Sequence, residues 1–169
     1  KDYYKTGNYE GAIILLKDHL DSLGNSEIIA NNQLSLAEVY QAQANSETDF
    51  ARKEEAYQNA VELYELSKKN PVYSEVASLS LAGLHNQNGA YGEAMKEYES
   101  LIKTTTDDTL KSKALTGMAG ASINLKNPKL ALGYLTRAVE FDSTNEAAVS
   151  AKKEVELAFL NTISSAMNV

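Results

Sequence analysis

Asn86-Gln-Asn-Gly-Ala-Tyr-Gly-Glu-Ala-Met-Lys-Glu-Tyr-Glu-Ser-Leu101 decides how the rest of the chain is read. Gly89 is a turn residue, able to take the positive φ that ends one helix at little steric cost. Tyr91 opens a second helix. Ala94, Tyr98 and Leu101 then recur at i, i+4 and i+7, one face of a 3.6-residue period. The small Ala94 lets two helices approach closely, and the aromatic rings wedge the hairpin from either side.

The phrase returns along the chain. Gly7, Tyr9 and Ala12 form a first copy, with Leu16, His19 and Leu20 continuing its buried face. Tyr57, Ala60 and Tyr64 form a second, and Leu130, Ala131, Leu135 and Ala138 face inward in the last. Successive small residues Ala12, Ala60, Ala94 and Ala131 are separated by 48, 34 and 37 residues. Helices are predicted from about Tyr9 to Leu23, Ser26 to Ala44, Asp49 to Lys69, Ser74 to Asn88, Tyr91 to Thr104, Thr109 to Lys126, 128 to Phe141, and 144 to 166. Gly24-Asn25 stops the first of these. Asn25 or Ser26, Asp107 or Asp108, and a Ser143-x-x-Glu146 capping box supply N-caps. Pro128 suits the first turn of its helix. The 48-residue step exceeds 34 by 14 residues, close to four helical turns. It predicts a second hairpin lengthened by two turns in each arm, turning at the polar break Asn45–Asp49.

A two-helix period near 34 is the tetratricopeptide spacing, and the chain resembles the tetratricopeptide-repeat (TPR) family. Tyr91, Ala94, Tyr98 and Leu101 fit its pattern closely. Ser67 is the weaker member beside Tyr57, Ala60 and Tyr64, Leu16 replaces an aromatic beside Tyr9 and Ala12, and Lys126 and Leu135 replace the glycine and aromatic of the last unit. The resemblance implies an all-α, right-handed TPR-like α-solenoid forming a single domain over 1–169. Its hairpins fall at about 1–24, 26–70, 74–104 and 109–142, with a C-terminal capping helix at about 144–166. Tyr73–Ala82, Gly89 onward and Leu110–Ala119 are similar in layout to bacterial envelope TPR proteins of the translocon-associated and division-associated types, which implies a periplasmic scaffold or chaperone-adaptor role.

In the family the first helix of each hairpin lines a concave groove. Projected here, that gives Tyr4 from the first unit and Leu34, Glu38 and Gln41 from the second. The third contributes Leu79, Gly83, Asn86 and Gln87, and the fourth Thr116, Gly120, Ile123 and Asn124. The lining is mostly uncharged, with amides able to bond a peptide backbone. It lacks the lysine and arginine set of the TPR carboxylate clamp. The same residues also suit plain solvent-facing or helix-packing roles.

Composition narrows the functions. A chain of 169 residues, 43% hydrophobic and 23% charged, suits one soluble domain. A net charge of −7 disfavours a nucleic-acid partner, because phosphate neutralisation needs a basic face. The sequence has no cysteine, so disulfides and thiolate metal sites are excluded. No apolar run approaches the roughly 18 residues that span a bilayer, so no direct membrane insertion is expected. His19 and His85 occupy packing positions and read as half-buried structural histidines. Asp107-Asp108 lacks the alternating ligands and glycine of a calcium loop. No phosphate loop, nucleophile elbow or paired-carboxylate motif occurs. Gly117 and Gly120 lie within a helix, where they favour close packing or close ligand approach.

The expectation is therefore a non-catalytic interaction scaffold without metal or cofactor, binding a peptide or partner helix. A self-assembling module is the second reading, and a ligand-sensing domain of a larger protein the third. Lys1 falls inside a helical pattern and reads as the start of a fragment or processed form, compatible with a removed signal peptide or anchor. The sequence fits any compartment, with an extracytoplasmic one (periplasmic or membrane-anchored) favoured over the cytoplasm.

Overall fold

The computed structural model describes residues 8–21 and 26–167. Among these there are eight helices and no strand: α1 Tyr9–Asp21, α2 Ser26–Ser46, α3 Phe50–Ser67, α4 Ser74–Gln87, α5 Tyr91–Thr104, α6 Asp108–Asn124, α7 Pro128–Phe141 and α8 Glu146–Met167. Each lies within a few residues of its predicted span. Tyr4, Gly7, Gly24 and Asn25 lie outside the described residues.

Local chemistry explains the boundaries. Gly89 has φ 80°, the left-handed conformation that an L side chain resists. The matching position after α6 is Lys126, which takes φ 58° without being glycine. Lys126 N–H donates to Ile123 O (2.9 Å) and Asn127 N–H to Ser122 O (2.8 Å), the two bonds of a Schellman motif. Asp49 caps α3 by accepting from Arg52 N–H (3.0 Å). Asp107 caps α6 by accepting from Thr109 N–H (2.7 Å) and Leu110 N–H (3.1 Å). Asn127 caps α7, with Pro128 as its first residue.

One predicted cap is corrected. The residue before α8 that caps it is Asn145, whose side chain accepts from Ala148 N–H (3.2 Å), rather than Ser143 of a capping box. Asn145 Nδ2 also donates to Ser112 Oγ (2.8 Å) and Thr116 Oγ1 (3.2 Å). These long-range bonds select it over its neighbour. Asp142 meanwhile accepts from Thr144 N–H (2.9 Å) and Oγ1 (2.6 Å), which holds its carboxyl below the ordinary aspartate pKa.

The chain forms two compact units, Lys1–Asn88 and Gly89–Val169. In the first, α2 and α3 form an antiparallel hairpin flanked by α1 and α4. Its core joins Leu34, Tyr40, Tyr57, Ala60, Tyr64 and Leu81, with Leu16 and Leu20 of α1 packed against it. His19, expected on that buried face, is exposed, and Ile13, Leu16 and Leu20 carry the packing. In the second unit, α6 and α7 form the hairpin, flanked by α5 and α8. Leu115, Met118, Ala119, Leu135, Ala138 and Ala148 are buried there. Leu130, expected to face inward, is 42% exposed because it lies one position off the stripe of Ala131, Leu135 and Ala138.

The ruler alanines hold: Ala12 is 8% exposed, and Ala60, Ala94 and Ala131 are fully buried. The lengthened hairpin is present. Ala60 is the eleventh residue of α3, where Ala94 is the fourth of α5, and α2 has 21 residues to the 14 of α4. Each arm has thus gained seven residues, close to two turns.

Two serines tie the hairpins by reciprocal bonds. Ser67 Oγ on α3 donates to Ala30 O on α2 (3.0 Å). Ser112 Oγ on α6 donates to Ala138 O on α7 (2.8 Å). Ala30 and Ser112 are each the fifth residue of their helix, and Ser67 and Ala138 each lie seven after a ruler alanine. The same two positions are bonded in both hairpins, with donor and acceptor exchanged. Gly117 has a separate role, because a Cβ there would run into the ring of Tyr98. Tyr98 is 4% exposed, and burial pushes its phenol pKa up to about 12.

Candidate functional site

In the first unit the helices leave a groove of about 1150 Å³. α2 supplies its long wall, with Ser35, Glu38, Ala42 and Asn45 in register at i, i+3, i+7 and i+10. α1 contributes Tyr9, Ala12, Leu15 and Leu16, and α4 contributes Ser80, Gly83 and Gln87. Leu15 is 60% exposed, an apolar side chain held at the surface by the groove rim.

A chain of polar side chains lies along the groove. Tyr64 is fully buried, yet it borders the groove, and its hydroxyl donates to Gln41 Oε1 (2.6 Å). Gln41 Nε2 donates to Gln87 Oε1 (2.9 Å), and Asn45 Nδ2 donates to the same oxygen (3.1 Å). Gln87 Oε1 therefore accepts twice, while its own amide N–H groups stay available to a ligand. These bonds join Gln41 and Asn45 of α2 to Gln87 of α4.

Glu38 is the one charged residue among those lining the groove. It makes no ion pair among the described residues. The groove walls remove part of its hydration and push its pKa above the ordinary glutamate value, with desolvation as the cause. A ligand cation at this carboxylate would compensate for that lost hydration.

Of the residues projected from the sequence, Glu38, Gln41, Gly83 and Gln87 meet in this groove. Leu34 does not: it is 8% exposed and part of the core, a correction of one position, about 100° around α2. Leu79 and Asn86 are partly buried on α4 and are not among its lining residues. Thr116, Gly120, Ile123 and Asn124 all lie on α6 in the second unit. Thr116 Oγ1 is engaged there, donating to Ser112 O (2.8 Å) and accepting from Asn145. Ile123 is 44% exposed. The projection missed Ala42, Asn45 and Ser46 on α2. Their small or polar character at i, i+3 and i+4, continuing from Ser35 and Glu38, was the available signal. It also missed the α1 wall and the Tyr64 hydroxyl.

His85 is partly buried and lies outside this groove. Its Nδ1 is 2.8 Å from the Tyr57 hydroxyl, with the rings edge-on at 6.0 Å, a packing role as expected. Among the described residues no group of three or more His, Cys, Asp or Glu side chains is placed to hold a metal ion. No described helix is long and apolar enough to cross a membrane.

Paired antiparallel helices with a small residue at each crossing place the chain among all-α, TPR-like helical-repeat proteins of the α-solenoid class. An Arabidopsis structure, the OM64 TPR domain, matches with a TM-score of 0.51 and 18% identity, covering 73% of this chain and 96% of that one. The family model described as SNAP, soluble NSF attachment protein, matches residues 1–168, and the chain belongs to that family. A search of curated proteins returns no match.

Proposed function

We propose that this chain is a non-catalytic adaptor that takes a peptide or helix of a protein partner in the groove of the first unit. The observation that carries the reading is the convergence of Glu38 and Gln41 of α2 with Gly83 and Gln87 of α4 on one groove, with amide bonds joining the two helices. Amides fixed in this way suit recognition of backbone N–H and C=O groups, while Leu15, Leu16 and Val39 offer apolar contact. The family's description as attachment proteins, and the TPR domain among similar structures, support an adaptor role.

Catalysis is not part of the proposal, because the groove offers a single carboxylate with no second acid, base or nucleophilic pair beside it. Nucleic acid is a poor fit. The first unit carries thirteen Asp and Glu against seven Lys and Arg, a net charge of −6. An extracytoplasmic scaffold role, as in the envelope TPR proteins, is the accompanying proposal. A cysteine-free chain needs no protection from an oxidising compartment, and subcellular fractionation of the tagged protein tests it.

The binding test replaces Ala42 by Arg, which fills the middle of the groove without touching the core cluster. Affinity purification from the source cells should lose its specific protein partners with Ala42→Arg and with Gly83→Arg, while circular dichroism stays unchanged. Retention of every partner at wild-type level by both folded variants refutes the groove reading.

A further inference from the structure

The groove of the first unit has a chemical counterpart elsewhere on the chain. Helix α8 packs Ala148 and Val155 into the second unit. Its opposite side exposes Val149 (43%), Leu157 (56%) and Leu160 (63%), at i, i+8 and i+11. These positions form one stripe of a helix, and Lys153 falls in the same stripe at i+4. Lys152 pairs with Glu156 at 3.9 Å, whereas Lys153 makes no ion pair among the described residues. Such a stripe, apolar with one cation, is what a groove with apolar walls and one carboxylate accepts.

Size agrees as well. A helix with its side chains is about 10 Å across and rises 1.5 Å per residue, so a volume of about 1150 Å³ holds roughly ten residues of it. Val149 to Leu160 is twelve residues. Charge also selects the pairing. The second unit has nine Lys and Arg against ten Asp and Glu, a net of −1, while the first carries −6. Two first units repel each other, and a first unit against a second does so far less.

We propose that the outer face of α8 from one copy of this chain docks in the first-unit groove of a second copy, with Lys153 against Glu38. The inference rests on the groove reading above and names its occupant. Because groove and helix are different surfaces, the contact is heterologous, and it either closes into a ring or propagates. A contact of about three helical turns lies at the small end of specific interfaces, so association is weak and concentration-dependent.

Sedimentation velocity of the full chain, from about 1 to 500 μM, tests this. The wild type should gain average mass with concentration. Glu38→Lys and Lys153→Glu should each weaken association at least roughly fivefold. The double variant, with the charges exchanged, should return to within about threefold of the wild type. Leu157→Lys, on the exposed stripe and outside the core, should abolish association without loss of helicity.

A wild type that stays monomeric over the whole range overturns the inference. So does a double variant weaker than either single one, or association that survives both Leu157→Lys and Ala42→Arg. If the chain is monomeric yet captures other proteins in an Ala42-dependent way, the groove reading stands and only the self-docking fails. If neither association nor capture depends on Ala42, both readings fail.

Discussion

Gly117→Ala is a one-carbon change whose outcome depends on Tyr98. Glycine within α6 is unfavourable on propensity alone. Alanine there should stabilise the helix by about 1 kcal/mol. The added Cβ, however, overlaps the far end of the Tyr98 ring. Tyr98 is 4% exposed and its ring reaches from α5 to Gly117 of α6, so burial leaves it little room to swing clear. Overpacking of this kind costs about 1 to 3 kcal/mol, and after the helix gain the net effect should be destabilisation by up to about 2 kcal/mol. In a Tyr98→Leu background the obstructing ring is gone. That background is itself less stable, because a buried aromatic has been cut down, but there Gly117→Ala should be stabilising by up to about 1 kcal/mol. The coupling between the two substitutions is therefore about 2 kcal/mol. Urea denaturation followed by far-UV circular dichroism gives the four stabilities of the cycle. Hydrogen exchange at α6 amides reports the same quantity for the second unit alone, which matters where two compact units need not unfold in a single step. Additivity of the two changes within about 0.5 kcal/mol, or stabilisation by Gly117→Ala in the wild-type chain, refutes the close-approach account of this glycine.

Three further outcomes follow from the same geometry. Lys126→Gly should stabilise the chain by about 0.5 to 1 kcal/mol, since a left-handed residue costs a side chain about 1 to 2 kcal/mol and glycine returns part of that as entropy; a thermal melt showing a loss instead would mean that the Lys126 side chain contributes more than its backbone strain. Ser67→Ala and Ser112→Ala should each cost about 1 kcal/mol through a buried hydrogen bond, with Ser112→Ala the larger because Asn145 also donates to that hydroxyl; equal urea midpoints for the wild type and both variants would contradict this. Asp142 has a folded pKa below its ordinary 3.8, through side-chain and backbone bonds from Thr144, so its contribution is present above the unfolded pKa and disappears as pH falls through the folded one. A carboxyl NMR titration should place its midpoint below 3.8, and Thr144→Ala should raise it; an unmoved midpoint would remove Thr144 as the cause.

Much of the helix layout can be read from local chemistry. Gly89, Asp107 and Pro128 act within a turn of where they stand, so each marks its boundary without reference to the fold. The ruler alanines carry the repeat because a helix crossing tolerates only a small side chain. The groove is half legible for the same reason: helical periodicity puts Glu38 and Gln41, and Gly83 and Gln87, on common faces. It fails where a single residue decides the direction. Leu34 and Ser35 differ by about 100°, and only packing against α3 settles which one turns inward. The α1 wall was invisible because no periodicity within α2 specifies how its neighbour lies. Tyr64 satisfies the repeat pattern as a wedge, and nothing in that pattern says where its hydroxyl ends. Asn145 and Ser143 are comparable caps locally, and partners some thirty residues away choose between them.

The seven residues gained at the end of α2 are residues 40–46, judged against the length of α4. They include Gln41, Ala42, Asn45 and Ser46, all of which line the groove. Seven residues advance a helix by 700°, only about 20° short of two full rotations. An insertion of that length therefore lengthens the rod while leaving every earlier face pointing nearly where it did. The core need not be rebuilt, and new side chains appear as a direct extension of an existing wall. The amide network that joins α2 to α4 stands wholly on this added segment and on Gln87. This part of the groove wall is thus an extension of the repeat, added beyond Ser35, Glu38 and Val39, which line the groove within the ordinary helix length. A chain with the ordinary 34-residue spacing would keep Ser35, Glu38 and Gly83 on their faces and lose the bonds from Gln41 and Asn45 to Gln87.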